Sequence, residues 1–296
     1  MDAVTLAVAP IAGVLAFRAM NTDWWIAAPK TTPELLEDLE RFVHEAEARY
    51  SRFRSTSLVS RLNADRRVQD AELAALVRRA LGIGRVTGGA FDIRVGAAVI
   101  AGGYDRPFEL LPPVVADDQV APPVAMLEVM VDGDMVTLEG PGLVDLGGIA
   151  KGWTIEGIAS TLDAAGVADY LIDGGGDIRG RGLDSSGSPW AVGVGDGLAV
   201  RLADGAVCTS STQRRRWATR TGTVHHIIDP IQGRPTAEGI TNAVVVASDT
   251  TTADALATAV VASVPALGAA RALGAEVLFE RDGAWEMTPG LEGWLL

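Results

Sequence analysis

The sequence predicts an α+β fold in which mixed and antiparallel β-sheets pack with several helices. Two observations lead there. β-rich runs recur along the chain, and two pairs of them flank Asp-Gly turns of the hairpin kind. Three or four helical stretches interrupt these runs without the regular strand–helix alternation of a parallel sheet. No short fixed repeat and no low-complexity tract is present.

The N-terminal run MDAVTLAVAPIAGVLAF is apolar, but it has an acid at position 2, no basic segment before it and Pro10 inside it. It ends at Arg18, short of a bilayer span, and reads as a buried strand rather than a leader. Residues 12–28 are rich in β-formers and read as one or two strands. TTPELLEDLERFVHEAEARYSRF follows as an amphipathic helix with a threonine start, Pro33 in the first turn and early acids. DAELAALVRRALGIGRVTGG is a second helix, ending in glycines. FDIRVGAAVIAGGYD is apolar with a Gly-Gly break. Residues 105–125 hold five prolines and no period, which predicts a long loop or linker.

MLEVMVDGDMVTLEG reads as a hairpin around Asp132-Gly133-Asp134. VDLGGIAKG is a loop leading into the helix WTIEGIASTLDAAGV. ADYLIDGGGDIRGRG is a strand entering a glycine-rich turn, and WAVGVGD, AVRLADGAVCTSS and TVHHIIDP continue the β pattern. NAVVVASD is a strand, TADALATAVVAS a helix, and AEVLFERDGAWEM a hairpin over Asp282-Gly283.

With 296 residues and 48% hydrophobic content, the chain can bury a large core. It is expected to be a single domain, 1–296. A net charge of -13 and a pI near 4.7 argue against a nucleic-acid partner. Arg214-Arg215-Arg216 is too short a basic run to reverse that. The single cysteine, Cys208, rules out disulfide frameworks within the chain and Cys-rich zinc sites, and reads as a buried structural thiol. The expected compartment is the cytoplasm, with no membrane anchor.

Candidate chemistry is scattered. No Walker A sequence, dinucleotide fingerprint or GxSxG is present. The glycines 174–176 read either as a strand-end turn or as a phosphate cradle. DLGGIAKG before a helix offers backbone N–H groups and Lys151 to an anion, or is an ordinary cap with an exposed lysine. Of the three histidines, His44 lies among charges and reads as surface; His225 and His226 are adjacent on a strand, so only one can enter a site. Asp254, read in the first turn of its helix, and Thr258 are four residues apart and share one helix face. Asp254 either favours the positive end of the helix dipole or ligates a metal.

Taken in order, AMNTDWWI, SRFRSTSLVSRLN, GGAFDIRVG, VDLGGIAKGWTIEGIA, LIDGGGDIRGRG, CTSS, HHIIDPIQGRP and TADALATA resemble the FAD:protein FMN transferase, or ApbE, family. The resemblance runs from about Phe17 to the C-terminal hairpin; DLGGIAKG, HIIDPxxGRP and ADALAT are its most specific pieces. It implies an ApbE-like fold and an enzyme that moves the FMN half of FAD onto a threonine hydroxyl of a target protein, as a phosphoester, releasing AMP. It further implies a divalent metal, Mg²⁺ with Mn²⁺ as the alternative.

Carried onto this chain, the resemblance assigns the flavin contacts to Met20, Phe53, Ala90, Phe91, Asp92, Asp145, Lys151 and Ile228. The metal ligands become Asp254, Thr258 and the backbone carbonyl of Gly148, with Asp254 counted also among the catalytic residues, and His226 handles the proton. This chain departs from the family's pattern at Asn21, where glycine is common, at Phe53, where tyrosine is common, at Glu156, where aspartate is common, and at Thr209-Ser210-Ser211. An FAD pyrophosphatase giving FMN and AMP would use the same residues; a non-catalytic FAD carrier is the other alternative, and the Asp254/Thr258 pair and His226 argue against it.

Overall fold

The computed structural model describes residues 13–115, 120–220, 222–236 and 239–296. The chain opens with strands β1 (Val14–Ala19) and β2 (Thr22–Ala27), paired antiparallel so that Ala19 faces Thr22. Met20 and Asn21 form the turn, with φ of 51° and 60°. Two left-handed residues in a two-residue loop match the right-handed twist of the flanking strands, and asparagine tolerates that region. The missing family glycine at Asn21 is thus no obstacle to the turn. β1 is an edge strand; Val14 to Arg18 are half-buried or exposed and only Ala19 at its end is buried, so the expected burial of the apolar run fails where it is described. Residues 1–12 of the apolar run lie outside the described residues.

Helix α1 (Pro33–Tyr50) begins where expected: the Thr32 hydroxyl accepts the Leu35 N–H at 3.3 Å, and Pro33 occupies the first position. A helix not read from the sequence, α2 (Leu58–Asp65), is capped by Ser57 and leads into the short strand β3 (Arg67–Gln69). Helix α3 (Ala71–Val86) is capped by Asp70, and α4 (Gly96–Ala101) follows it. The proline-rich segment 105–125 is not a free linker where it is described. Val115 is buried and bridges Thr219, and Tyr104 just before the segment stacks with Trp217.

Strands β4 (Glu128–Asp132) and β5 (Met135–Glu139) form the expected hairpin and complete a small sheet with β3. Helix α5 (Ala150–Ala164) starts three residues before the expected position, so Lys151 and Gly152 sit in its first turn rather than in a loop. The chain continues with β6 (Tyr170–Gly174), β7 (Asp177–Arg181), the hairpin β8 (Trp190–Gly195) and β9 (Leu198–Leu202), and β10 (Asp204–Ser211). Two small hairpins follow, β11 (Arg216–Ala218) with β12 (Thr223–His225) and β13 (Ile228–Asp229) with β14 (Arg234–Pro235). The last elements are β15 (Ile240–Ala247), α6 (Thr250–Ala262), the single turn α7 (Leu267–Ala270), β16 (Glu276–Arg281) and β17 (Ala284–Met287).

Eight strands form the main sheet in the order β1-β2-β6-β7-β10-β15-β16-β17, every pair antiparallel. Alternate residues of β10 and β15 face opposite layers. Cys208, Ala243 and Val245 join the core beneath α6, whereas Val207, Val244 and Val246 pack against the β8–β9 hairpin and Leu291. Both faces of the central strands are therefore covered, which explains the near-continuous apolar run NAVVVA.

The α5–α6 contact is tight because Gly152 lies against the α6 start: a methyl group there would come within 2.3 Å of the Thr250 carbonyl oxygen. Gly152→Ala is expected to cost about 1–3 kcal/mol of stability through overpacking. A denaturant titration checks it; an unchanged midpoint would contradict this packing.

Candidate active site

The ends of β2, β6, β7 and β10, the first turn of α5, the face of α6 and the loops after α1, α3 and β10 converge on one cleft with two lobes. The first lobe, about 290 Å³, is lined among others by Ala90, Phe91, Asp92, Gly148, Ile228 and Thr258. The second, about 350 Å³, is lined among others by Met20, Phe53, Arg52, Tyr50, Tyr104 and Glu47. Asn21, Asp145, Gly147, Lys151, Arg215 and His226 line both, so these six form the shared wall. Every site residue expected from the sequence lines one lobe or both.

Asp254 does not cap its helix. Asp249 does that, accepting the Thr252 N–H at 2.8 Å, because α6 begins at Thr250 and places Asp254 in the second turn. Asp254 is instead 3% exposed at the floor of the first lobe. Its Oδ2 accepts the Gly152 N–H at 3.0 Å and lies 3.7 Å from Lys151 Nζ. Burial pushes its pKa up to about 6, against the pull of Lys151. One turn on, Thr258 Oγ1 lies 3.3 Å from Ser210 Oγ. The Gly148 backbone closes over it: a methyl group at Gly148 would sit 3.0 Å from Thr258 Oγ1.

Lys151 is not an exposed cap lysine. Its ammonium is clamped between Asp177, a short ion pair, and Asp254. Burial opposes its charge, but the two carboxylates outweigh that and hold its pKa above the ordinary lysine value. Asp145 pairs with Arg52 at 2.7 Å, and the Arg52 guanidinium lies 4.1 Å from the centre of the Phe53 ring and 4.7 Å from that of Tyr104. Phe53 at the family's tyrosine position thus stacks with a cation without needing a hydroxyl. Asp92 is gripped by Arg94 through two nitrogens at 2.6–2.9 Å. Glu156 does not line the cleft; it accepts the Thr250 N–H at 2.7 Å and the Thr250 hydroxyl at 2.6 Å, bracing α5 against α6.

His226 lines both lobes, while His225 faces a different cavity and bonds the Thr236 carbonyl oxygen at 2.8 Å. One of the adjacent pair enters the site, though not by strand alternation: β12 ends at His225, and His226 lies in the bend before β13. Burial, reinforced by the Arg215 charge, lowers the His226 pKa to about 3. The ring is therefore neutral across the physiological range, and its Nδ1 has no hydrogen-bond partner among the described residues. The unfolded chain takes up a proton near the ordinary histidine pKa that the folded chain resists to about pH 3. Stability from this source is present above pH ~6.5 and lost as the pH falls from there. His226→Asn is expected to be less acid-sensitive than the wild type over that window in urea titrations at stepped pH; parallel curves would contradict it.

Cys208 is fully buried, its thiol on the Thr250 carbonyl oxygen at 3.6 Å and its pKa raised by burial, as expected of a structural cysteine. His44 is exposed on α1. The sequence reading missed Arg52, Tyr104, Asp177 and the Arg214-Arg215 pair as site residues. Asp177 and Arg52 lay inside quoted motifs as charged residues with apolar neighbours, which was the available signal. No helix among the described residues is long and apolar enough to cross a membrane.

The model of the ApbE family matches residues 20–278. The FAD:protein FMN transferase of Vibrio cholerae is 29% identical over 250 residues, covering 79% of this chain and 73% of that protein. The protein of the same name from Treponema pallidum is 30% identical over 263 residues, covering 76% and 70%. The solved structure of the flavin transferase ApbE from Vibrio cholerae superposes with a TM-score of 0.79 at 26% identity, covering 95% of this chain and 98% of that one. The family model's match over most of the chain, with these relatives, places the chain in the ApbE family.

Proposed function

We infer that this protein is an FAD:protein FMN transferase, moving the FMN moiety of FAD onto a threonine hydroxyl of a target flavoprotein and releasing AMP. The observation that carries this reading is the shared wall: a neutral His226 with a free ring nitrogen stands beside Lys151 where the two lobes meet. Each lobe alone is at the small end for a ligand cavity, so a dinucleotide spans both. Phe53, Met20, Ala90, Phe91, Asp92, Asp145, Lys151 and Ile228 are then its contacts. A hydroxyl is a poor nucleophile near neutrality; His226 accepts its proton as the oxygen attacks phosphorus.

A divalent metal is part of the proposal. The groups at the floor of the first lobe suit Mg²⁺ or Mn²⁺: a buried carboxylate on Asp254, the Thr258 hydroxyl, and a glycine at 148 whose backbone closes over that hydroxyl where a Cβ would crowd it. Oxygen donors of this kind fit a hard cation that also keeps water and phosphate oxygens. No group of three or more His, Cys, Asp or Glu side chains among the described residues could hold a metal ion by itself, so phosphate and water would complete the shell. When bound, the ion would neutralise diphosphate charge. The chain's own part is to hold Lys151 in place through Asp177 and to orient both lobes around the phosphorus.

Chromatographic AMP release with and without a threonine-bearing target tests the reading. AMP that appears only with the target is expected. Equal release without the target would make the protein a pyrophosphatase; no release with FAD bound would make it a carrier.

A further inference from the structure

The lobes carry Asp92, Asp145, Asp177, Asp254 and Glu47, and each has a basic partner. Arg94 holds Asp92, Arg52 holds Asp145, Lys151 serves Asp177 and Asp254, and Arg54 pairs with Glu47 at 3.3 Å. Two guanidinium groups remain, Arg214 and Arg215, which line the first lobe and form no ion pair or hydrogen bond with another described side chain. Arg214 reaches over the glycine turn after β6: its Nη1 would lie 3.5 Å from a methyl group on Gly176. Arg215 lines both lobes and takes a left-handed φ of 44°, a conformation that disfavours a long side chain. Arg214 is exposed and Arg215 half-buried, so water solvates both charges, and with no carboxylate partner at the cleft wall both are free to receive an anion.

We propose that Arg215 binds the phosphate of the AMP leaving group, with Arg214 beside it, and so sets both leaving-group departure and the preference for a dinucleotide over a nucleoside. This rests on the transferase reading. In the step, the threonine Oγ forms a bond to the FMN phosphorus, and the bond from that phosphorus to the bridging oxygen breaks. The bridging oxygen leaves with its electron pair on AMP, and the hydroxyl proton goes to His226. The charge that grows on AMP falls at the shared wall, where Arg215 stands.

Calorimetric titration of AMP and of adenosine, each with Mg²⁺, into wild type, Arg215→Gln and Arg215→Lys tests it. Loss of a charge-assisted contact is expected to weaken AMP roughly 10- to 100-fold in Arg215→Gln. Adenosine binding should be unchanged, and Arg215→Lys should recover part of the loss. AMP and adenosine weakened equally, or AMP unaffected, would overturn the assignment. Intact mass of a threonine-bearing target incubated with wild type reads the transferase reaction separately: FMN attached there with AMP binding insensitive to Arg215 removes only this proposal.

Discussion

Replacing His226 by alanine is expected to slow FMN transfer by about 10²–10⁴-fold. FAD affinity should stay within a few-fold, because the ring is neutral and occupies only one part of a cleft with contacts from both lobes. The size follows from the chemistry. A threonine hydroxyl keeps its proton near neutrality, so attack without a base leaves a positively charged oxygen beside phosphorus. The low pKa of His226 has a consequence for the profile: the acid limb of kcat/KM in the free enzyme should not appear near the ordinary histidine value. Single-turnover measurement of wild type and His226→Ala with equal FAD occupancy checks both points. A variant within a few-fold of wild type would remove His226 from the proton transfer.

Asp254→Asn is expected to abolish most of the transfer, by about 10²–10³-fold, the scale of losing one preorganised electrostatic contact to developing charge. The substitution keeps the shape, so the Gly152 N–H still finds an oxygen. It removes the one carboxylate that shares a helix face with Thr258, whose hydroxyl lies against Gly148. Folding should be retained, since the carboxylate is buried and its pKa is already raised by burial. Transfer assayed across a Mg²⁺ series, with thermal unfolding in parallel, checks it. A stable variant with full activity at low Mg²⁺ would contradict the metal assignment.

Much of this was legible in the sequence because local signals and helix spacing agree. Thr32-Pro33 and Asp70 mark helix starts through capping chemistry that acts within four residues. Asp282-Gly283 marks a hairpin because both residues take positive φ. The pairing of Asp254 with Thr258 on one face needed only the helix period. What failed was anything decided by distant packing. The early start of α5 is fixed by close approach of Gly152 to α6, and α2 is a short helix whose register depends on the Ser57 cap and on Val59 and Leu62 entering the core. The order of the central strands was hidden because β10 and β15 are covered on both faces, which erases the period-two pattern that assigns a face. Arg214 and Arg215 formed too short a run to argue from; the fold sets Arg215 on the wall it shares with Lys151, from the first turn of α5, and His226, from the bend after β12, with Arg214 beside it in the first lobe.

The measurement that bears most directly on the central reading is the intact mass of a threonine-bearing target flavoprotein after incubation with this protein, FAD and Mg²⁺, followed by fragmentation to find the modified residue. The expected result is one FMN added through phosphate to the threonine oxygen, with AMP released in equal amount. Free FMN and AMP with an unmodified target would contradict it and make water, rather than threonine, the nucleophile in this cleft.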